Sequence, residues 1–138
     1  KEVNKLGLYS YEYLDYYWTE KRRYPFFIRV DNQLAGFVMI NDFPEADEEV
    51  DYVISEFFVM YKYRRLGVGK IAAFKAFDSF RGRWQLKRHP KNKASVYFWD
   101  KVVKEYTKGD YRLVEGYKDT EYEDGTLGDV FFFDNRKV

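Results

Sequence analysis

The chain has 138 residues, 24 Lys or Arg against 23 Asp or Glu, a single histidine and no cysteine. This length favours one domain with a sizeable core, and the lack of cysteine excludes disulfide frameworks, thiolate nucleophiles and cysteine-bound zinc. No apolar run approaches the roughly 20 residues that cross a bilayer, and no secretory signal pattern opens the chain. We therefore expect a cytoplasmic protein in which residues 1–138 form a single domain. Because the first residue is Lys1 rather than Met, we allow for a segment upstream of it.

The near-zero net charge conceals a basic middle third. Residues 60–104 contain 13 Lys or Arg against two acids, whereas residues 1–59 contain 12 acids against six basic residues. Such a block attracts a polyanion, which is either a phosphorylated cofactor or a nucleic acid.

The first half of the chain predicts a helix followed by a hairpin. In YEYLDYYWTEK, residues 11–21, Tyr11, Leu14 and Trp18 recur at helical spacing. The runs PFFIRV and LAGFVMI then flank the turn DNQ, which predicts an antiparallel hairpin. An acidic, proline-containing loop occupies residues 41–51.

The second half alternates strands and helices. The run YVISEFFVM, residues 52–60, is apolar on both faces and is expected to be a central strand. A glycine turn leads into a helix over KIAAFKAFDSF, then RGRWQLKRH predicts a short strand and KNKASVYFWDKVVKEYT a second amphipathic helix. The expected buried side of the first of these helices consists of Ile71, Phe74, Phe77 and Phe80. Strand signals at YRLVEGY and DVFFF complete an α/β order (α+β in some schemes), with helices packed on a mixed sheet.

The glycine turn RRLGVGK, residues 64–70, is the stretch that most directly indicates a ligand. A helix N-terminus leaves its first N–H groups unpaired and carries about half a positive charge, so phosphate binds there without a dedicated side chain. Gly67 and Gly69 would let the ligand reach these amides, and two arginines and a lysine add positive charge. The structural alternative is that Gly67 only turns the chain and Gly69 only packs closely.

Two nucleotide-binding motifs fit this turn poorly. GVGKIA matches the dinucleotide-fold pattern G-x-G-x-x-A. That fold needs an acid about 20 residues later, and this chain has the basic stretch Arg88 to Lys91 there instead. The P-loop pattern fails because Ile71 stands where that motif needs a hydroxyl.

Two segments together resemble the GNAT superfamily of acyl-CoA-dependent N-acetyltransferases. The cofactor segment of that family is a strand ending in Val, then Arg or Gln-x-x-Gly-x-Gly or Ala, then a helix. FFVMYKYRRLGVGK supplies Val59, Arg64, Gly67 and Gly69 in register, with Tyr61 where Pro is usual.

The second family segment reads Asn-x-x-Ala-x-x-aromatic-Tyr or Trp. NKASVYFWDKV supplies Asn92, then Ser95 where Ala is usual, then Phe98 and Trp99. The two segments stand in the family's order and at its spacing, and with the upstream hairpin the resemblance covers roughly residues 11–105.

The resemblance implies the acyl-CoA N-acyltransferase fold, with a central mixed, mostly antiparallel sheet flanked by helices. It implies that acetyl-CoA, without a metal, donates an acetyl group to a primary amine by direct attack in a ternary complex. The alternatives are a non-catalytic acyl-CoA-binding or interaction module and, as a weaker one, a nucleic-acid binder. The implied partners are acetyl-CoA and an amine acceptor, with no nucleic acid and no membrane, and a homodimer is left open.

The implied cofactor contacts fall on both segments. The amides of Arg65 to Lys70 would hold the coenzyme A pyrophosphate, the strand edge at Phe57 to Val59 would pair with the pantetheine arm, and Asn92 would hydrogen-bond that arm. The full set of expected cofactor-binding residues is Phe57, Phe58, Val59, Arg64, Arg65, Leu66, Gly67, Val68, Gly69, Lys70, Asn92 and Trp99.

Glu56 is the candidate general base. A lysine-like amine has a pKa of about 10.4, so only about one in 10³ is neutral at pH 7, and a base is needed. A carboxylate inside an apolar strand is costly unless it is paired or hydrated by a cleft. The alternatives are that Glu56 pairs with a buried arginine or lies at an exposed sheet edge. His89, in a polar loop, is a second candidate, although an exposed loop histidine is the simpler interpretation.

Trp99 stands where many family members carry the Tyr taken as the acid that protonates the leaving thiolate. An indole N–H has no useful acidity near pH 7, so Tyr97 or Tyr106 substitutes, or the thiolate leaves unassisted. Trp99 would then be a wall of the cofactor channel.

The acidic loop lacks the spacing of a calcium loop and is expected to be solvated or to attract a cationic acceptor; its acids include Glu45, Asp47, Glu48 and Glu49.

Overall fold

A computed structural model describes residues 6–10 and 22–137 of the chain, so the helix predicted over 11–21 lies outside the described residues. The chain divides into two compact units. The first comprises Lys1–Asp42 and Ile54–Phe80, and the second Phe43–Val53 and Arg81–Val138. Among the helices of the described residues, none is long and apolar enough to cross a membrane.

The first unit is built on four neighbouring strands. These are β1 (Leu6–Ser10), β2 (Tyr24–Val30), β3 (Gln33–Asn41) and β4 (Tyr52–Val59), whose first two residues belong to the second unit. β2 pairs antiparallel with both β1 and β3, and β4 lies beside β3. The predicted hairpin is confirmed, and its two turn residues, Asp31 and Asn32, both have positive φ, as the right-handed twist of a hairpin favours. β1 was not predicted.

Gly36 sets how closely β3 approaches the end of β4. A Cβ built on Gly36 would lie 2.1 Å from the carbonyl oxygen of Phe58, so only glycine fits there without a backbone shift. Immediately after β4, the N–H of Met60 donates to the carbonyl of Ala35 at 2.7 Å. The last residues of β4 are therefore fixed against β3.

A short 3-10 turn, Tyr61–Tyr63, leads from β4 to helix α1 (Val68–Ser79), which packs against β1. The helix was predicted, and Phe77 is buried as expected, but Ile71 is 36 % exposed and Phe74 and Phe80 are only partly buried. The buried residues of α1 are Val68, Gly69, Ala72, Ala73, Ala76 and Phe77. Small side chains let a helix approach its neighbours closely, so alanines rather than the bulkier Ile71 occupy the interface.

The second unit combines one helix with a three-stranded antiparallel sheet in which the last strand along the chain lies between the other two. Its elements are β5 (Arg83–Arg88), α2 (Lys93–Thr107), β6 (Arg112–Val114) and β7 (Asp129–Asp134). The predicted short strand, second helix and two tail strands are confirmed, and so is the α/β class. The core of this unit includes Trp84, which stacks on Phe133 with ring centroids 6.4 Å apart.

The acidic loop is held by Gln85, which was not predicted. Gln85 is 1 % exposed. Its Oε1 accepts from the N–H groups of Glu45 at 2.9 Å and Ala46 at 3.0 Å, and its Nε2 donates to the carbonyls of Ala46 and Glu48 at 3.3 and 3.2 Å. One buried amide thus satisfies four backbone groups of the loop.

Three of the four named acids of this loop are also paired, whereas Asp47 is exposed. Glu45 lies 3.5 Å from the Lys87 ammonium, and Glu49 accepts from Arg83 at 2.7 Å. Glu48 accepts from Arg112 and from the Tyr117 hydroxyl, and the Arg112 hydrogen bond is the main cause that lowers the pKa of Glu48. Within the second unit the loop is therefore a fixed, charge-paired element.

Replacing Gln85 with leucine tests this anchoring. The variant keeps the side-chain volume but leaves buried donors and acceptors unpaired, which should lower the free energy of unfolding by roughly 2–4 kcal/mol. Urea unfolding of parent and variant measures the change. The matched control is Gln33→Leu at an exposed position on β3, which should stay within about 0.5 kcal/mol. An equal loss in both variants would contradict the anchoring role of Gln85.

Candidate functional site

The amino end of α1 has the backbone geometry that the glycine turn predicts. Gly67 is the N-cap, with φ 76° and ψ 6°, in the left-handed region where side-chain-bearing residues are strained. No side chain caps the helix, and its first turn contains no acid. The first N–H groups of a helix have no intrahelical acceptor, so this end can receive an anion without displacing a carboxylate of its own.

The basic residues of the turn surround this helix end. Arg64, Arg65 and Lys70 are exposed, whereas Val68 and Gly69 are buried in the first helical turn. No carboxylate is an ion-pair partner of Arg65 among the described residues. The structure therefore brings the residues predicted for the pyrophosphate together in one continuous turn.

The end of β4 is tied to this turn by Arg64. The Nε–H of Arg64 donates to the carbonyl of Val59 at 2.8 Å. Its guanidinium carbon lies 5.8 Å from the ring centroids of both Phe58 and Tyr61, which are 51 % and 79 % exposed. We call residues 57–70 the β4–α1 turn.

Glu56 is exposed on β4. Its carboxylate therefore pays no burial cost, although that cost was the reason for expecting it to lie in a cleft or an ion pair. Because side chains alternate along a strand, Glu56 and Phe58 share one face, and both are exposed. A solvated carboxylate beside an exposed aromatic ring is accessible to an amine. Its role as a base stays a prediction.

The residues of the second motif lie in the second unit. Asn92 is the N-cap of α2, and its Oδ1 accepts from the N–H of Ser95 at 3.1 Å. This contact uses the oxygen of the amide and leaves Nδ2 as the donor for another partner. Trp99 is buried, with its ring edge-on to Phe98 at 4.8 Å. The cofactor contacts of Asn92 and Trp99 stay predictions.

The two candidate acids occupy different environments on α2. Tyr97 is 70 % exposed, whereas Tyr106 is 5 % exposed and its hydroxyl accepts from the Nδ2 of Asn135 at 3.2 Å. Nine residues separate them, which is about 13.5 Å and two and a half turns of helix. The two phenols therefore project from opposite sides of α2, and only one of them could serve a given leaving group.

His89 has both ring nitrogens engaged. Its Nδ1 accepts from the N–H of Lys91 at 3.1 Å, so the neutral ring carries its proton on Nε2, which lies 2.9 Å from Asp124. The ring also packs against Tyr122 at 4.5 Å. The backbone N–H of Thr126, and then His89, lower the pKa of Asp124 to about 2. His89 offers no lone pair to a substrate proton, which weakens its candidacy as a base.

Arg88 is a buried charge that was not predicted as a structural anchor. Its Nε donates to Asp129 at 3.1 Å, and its Nη1 donates to Asp100 and, at 3.3 Å, to the carbonyl of Val96. These contacts tie the end of β5 to β7 and to the first turns of α2. The strand RWQLKR also carries Arg83 and Lys87, so no sequence signal distinguishes Arg88 as the buried charge.

A surface cavity of the second unit contains none of the predicted cofactor-binding or catalytic residues. This cavity of about 410 Å³ lies among charged and aromatic side chains that include Glu48, Arg83, Arg112 and Phe132. In the part of the chain that the structure describes, no group of three or more His, Asp or Glu residues could hold a metal ion.

Comparison with known sequences connects this chain to one family. The model of the acetyltransferase (GNAT) family matches residues 4–103, which include both motifs. No curated protein sequence matches the chain.

Solved structures share the fold at low sequence identity. An acetyltransferase from Thermus thermophilus is 15 % identical, with a TM-score of 0.62 over 97 % of this chain and 99 % of its own. A Bacillus subtilis acetyltransferase in complex with CoA is 13 % identical, with a TM-score of 0.60 over 94 % of this chain and 99 % of its own. A protein from Bacillus anthracis str. Ames, described as a streptothricin acetyltransferase and solved with acetyl coenzyme A, is 19 % identical, with a TM-score of 0.56 over 85 % of this chain and 67 % of its own. The predicted acyltransferase fold is confirmed.

The hydrogen-bond partners of the two His89 ring nitrogens predict which nitrogen carries the proton in the neutral ring. Long-range ¹H–¹⁵N spectra at a pH where the ring is neutral should show the Nε2–H form, because Lys91 must donate to Nδ1. The chain has a single histidine, so the signal needs no assignment. In the control Asp124→Asn the tautomer should persist, since the Lys91 contact remains. A neutral ring protonated on Nδ1 would contradict this arrangement and restore His89 as a candidate base.

Proposed function

Because this chain belongs to the acetyltransferase (GNAT) family, we propose that it moves the acetyl group of acetyl-CoA to a primary amine. The observation that carries the proposal is the amino end of α1, where left-handed Gly67 opens a helix start with no acid in its first turn. The proteins of similar fold that were solved with CoA or acetyl-CoA support the same ligand.

The residues present fit a diphosphate at this position. Unpaired helix amides and a helix dipole favour an anion, and Arg65 and Lys70 are exposed beside them. We assign the amides of residues 65–70 to the pyrophosphate and the strand edge at residues 57–59 to the pantetheine arm. The Nδ2 of Asn92 would donate to that arm, and Trp99 would be a wall of the channel.

The chemistry requires a neutral amine close to a polarised thioester carbonyl. A bond forms between the amine nitrogen and the acetyl carbon, and the carbon–sulfur bond breaks. Glu56 accepts the proton that the amine loses, directly or through water. The departing sulfur takes a proton from Tyr97 or Tyr106, or leaves as the thiolate. Cytoplasmic location, a homodimer, a single domain over residues 1–138 and chemistry without a metal remain parts of the same proposal.

A second candidate is a non-catalytic acyl-CoA-binding module. It is favoured by Trp99, which stands where the family's acid is usual and is buried. Measuring free thiol released from acetyl-CoA with a panel of amines separates the two functions. A nucleic-acid binder would instead show salt-dependent binding to single-stranded DNA or RNA.

A carboxylate at position 67 should disrupt binding of acetyl-CoA. Asn and Asp have the same shape and both tolerate a left-handed conformation, so Gly67→Asn and Gly67→Asp should unfold at similar temperatures. The Asp variant should bind acetyl-CoA roughly tenfold or more weakly than the Asn variant, because its charge faces the diphosphate. Titration calorimetry measures the affinities.

Gly109 provides the matched control. It has a similar left-handed backbone, with φ 87°, and a Cβ there also meets open space. The pair Gly109→Asn and Gly109→Asp should bind acetyl-CoA equally. Equal affinity of the two Gly67 variants for acetyl-CoA would contradict the proposal that the diphosphate binds at the amino end of α1.

Glu56→Gln tests the base. The variant keeps the side-chain shape but loses the proton acceptor, so turnover at neutral pH should fall by about 10² to 10⁴. Turnover should recover as pH rises, because more of the amine is then already neutral. Affinity for acetyl-CoA should barely change. The control is Glu115→Gln at another exposed glutamate, which should keep parental turnover. Parental turnover of the Glu56→Gln variant from pH 6 to 9 would show that Glu56 is not the base.

A further inference from the structure

The hydrogen bond between Arg64 and Val59 links the two parts of the β4–α1 turn. Val59 is the last residue of β4 and is 7 % exposed, so its carbonyl needs a partner. The Nε–H of Arg64, five residues later, supplies it at 2.8 Å. That bond closes a loop around the 3-10 turn, which is itself held by the N–H of Tyr63 donating to Met60 at 2.9 Å.

The same bond uses one of the two lone pairs of the Val59 carbonyl oxygen. The carbonyl of Val59 lies at the strand edge assigned to the pantetheine arm, and its hydrogen bond from Arg64 fixes its direction. On the other side, Phe58 and Met60 are fixed against β3 by their contacts with Gly36 and Ala35. The end of β4 is thus held from both sides.

We propose that Arg64 is a positioning residue, which acts through its Nε on the Val59 carbonyl and not through its charge on the cofactor phosphates. The bond holds the turn that carries Gly67 in the shape that receives the diphosphate. A turn already held in this shape needs less ordering on binding, which raises affinity. This inference rests on the proposed function, because it assigns a role at the same acetyl-CoA site.

The chemistry of the side chain allows the two roles of Arg64 to be separated. The Nε of arginine is four bonds from Cα, and so is the Nε2 of glutamine, which also carries hydrogen. Lysine has a methylene carbon at that position, and its ammonium is one bond further out. Glutamine therefore keeps the donor and loses the charge, whereas lysine keeps the charge and loses the donor.

The experiment compares Arg64→Gln with Arg64→Lys. In the lysine variant the Kd for CoA, measured by calorimetry, and the KM for acetyl-CoA should rise roughly 3- to 10-fold, the effect of one lost hydrogen bond. The glutamine variant should stay within about twofold of the parent, because it restores that bond. Turnover at saturating acetyl-CoA should be similar in both, since neither change touches the reacting atoms.

Arg65 supplies the charge control. It is exposed in the same turn, and Arg65→Gln measures the effect of removing one positive charge there. Weak binding by Arg64→Gln together with parental binding by Arg64→Lys would overturn the proposal and make Arg64 a phosphate ligand. Equal losses in both variants, or no loss in either, would also overturn it. A parent protein that binds no CoA would instead overturn the proposed function, and this inference with it.

Discussion

The candidate site depends on one backbone conformation, the left-handed Gly67 at the amino end of α1. The chain must leave β4 and enter a helix within eight residues without covering the first helical amides. A residue in the left-handed region completes that reversal, and glycine adopts this conformation without strain. The first helical amides can act on an anion because no side chain caps the helix and no acid stands in its first turn.

Holding this turn in place requires contacts from outside the motif. Gly36 allows the backbone of β3 to approach Phe58 closely, and Ala35 receives the N–H of Met60. Arg64 then returns to the carbonyl of Val59. The turn therefore combines an open helix start at Gly67 with a rigid support that β3 and Arg64 provide.

In the second unit, buried polar side chains hold neighbouring segments in place. Gln85 satisfies four backbone groups of the acidic loop, and Arg88 joins β5 to β7 and α2 through two carboxylates and a carbonyl. Unpaired buried polar groups are costly, and no buried side-chain nitrogen or oxygen of the described residues lacks a partner. These contacts fix the positions of the acidic loop and of the helix that begins after Asn92.

The sequence alone determined the β2–β3 hairpin, β4, both described helices and the later strands, because these follow from local periodicity and turn chemistry. The tertiary structure decided which side of α1 is buried, since close packing selected Ala72 and Ala76 over Ile71. It also decided that Glu56 is exposed, that His89 has both nitrogens engaged and that Arg64 reaches Val59. The exposure of a side chain and the partner of each donor depend on which segments pack around it, and no spacing within one segment specifies that.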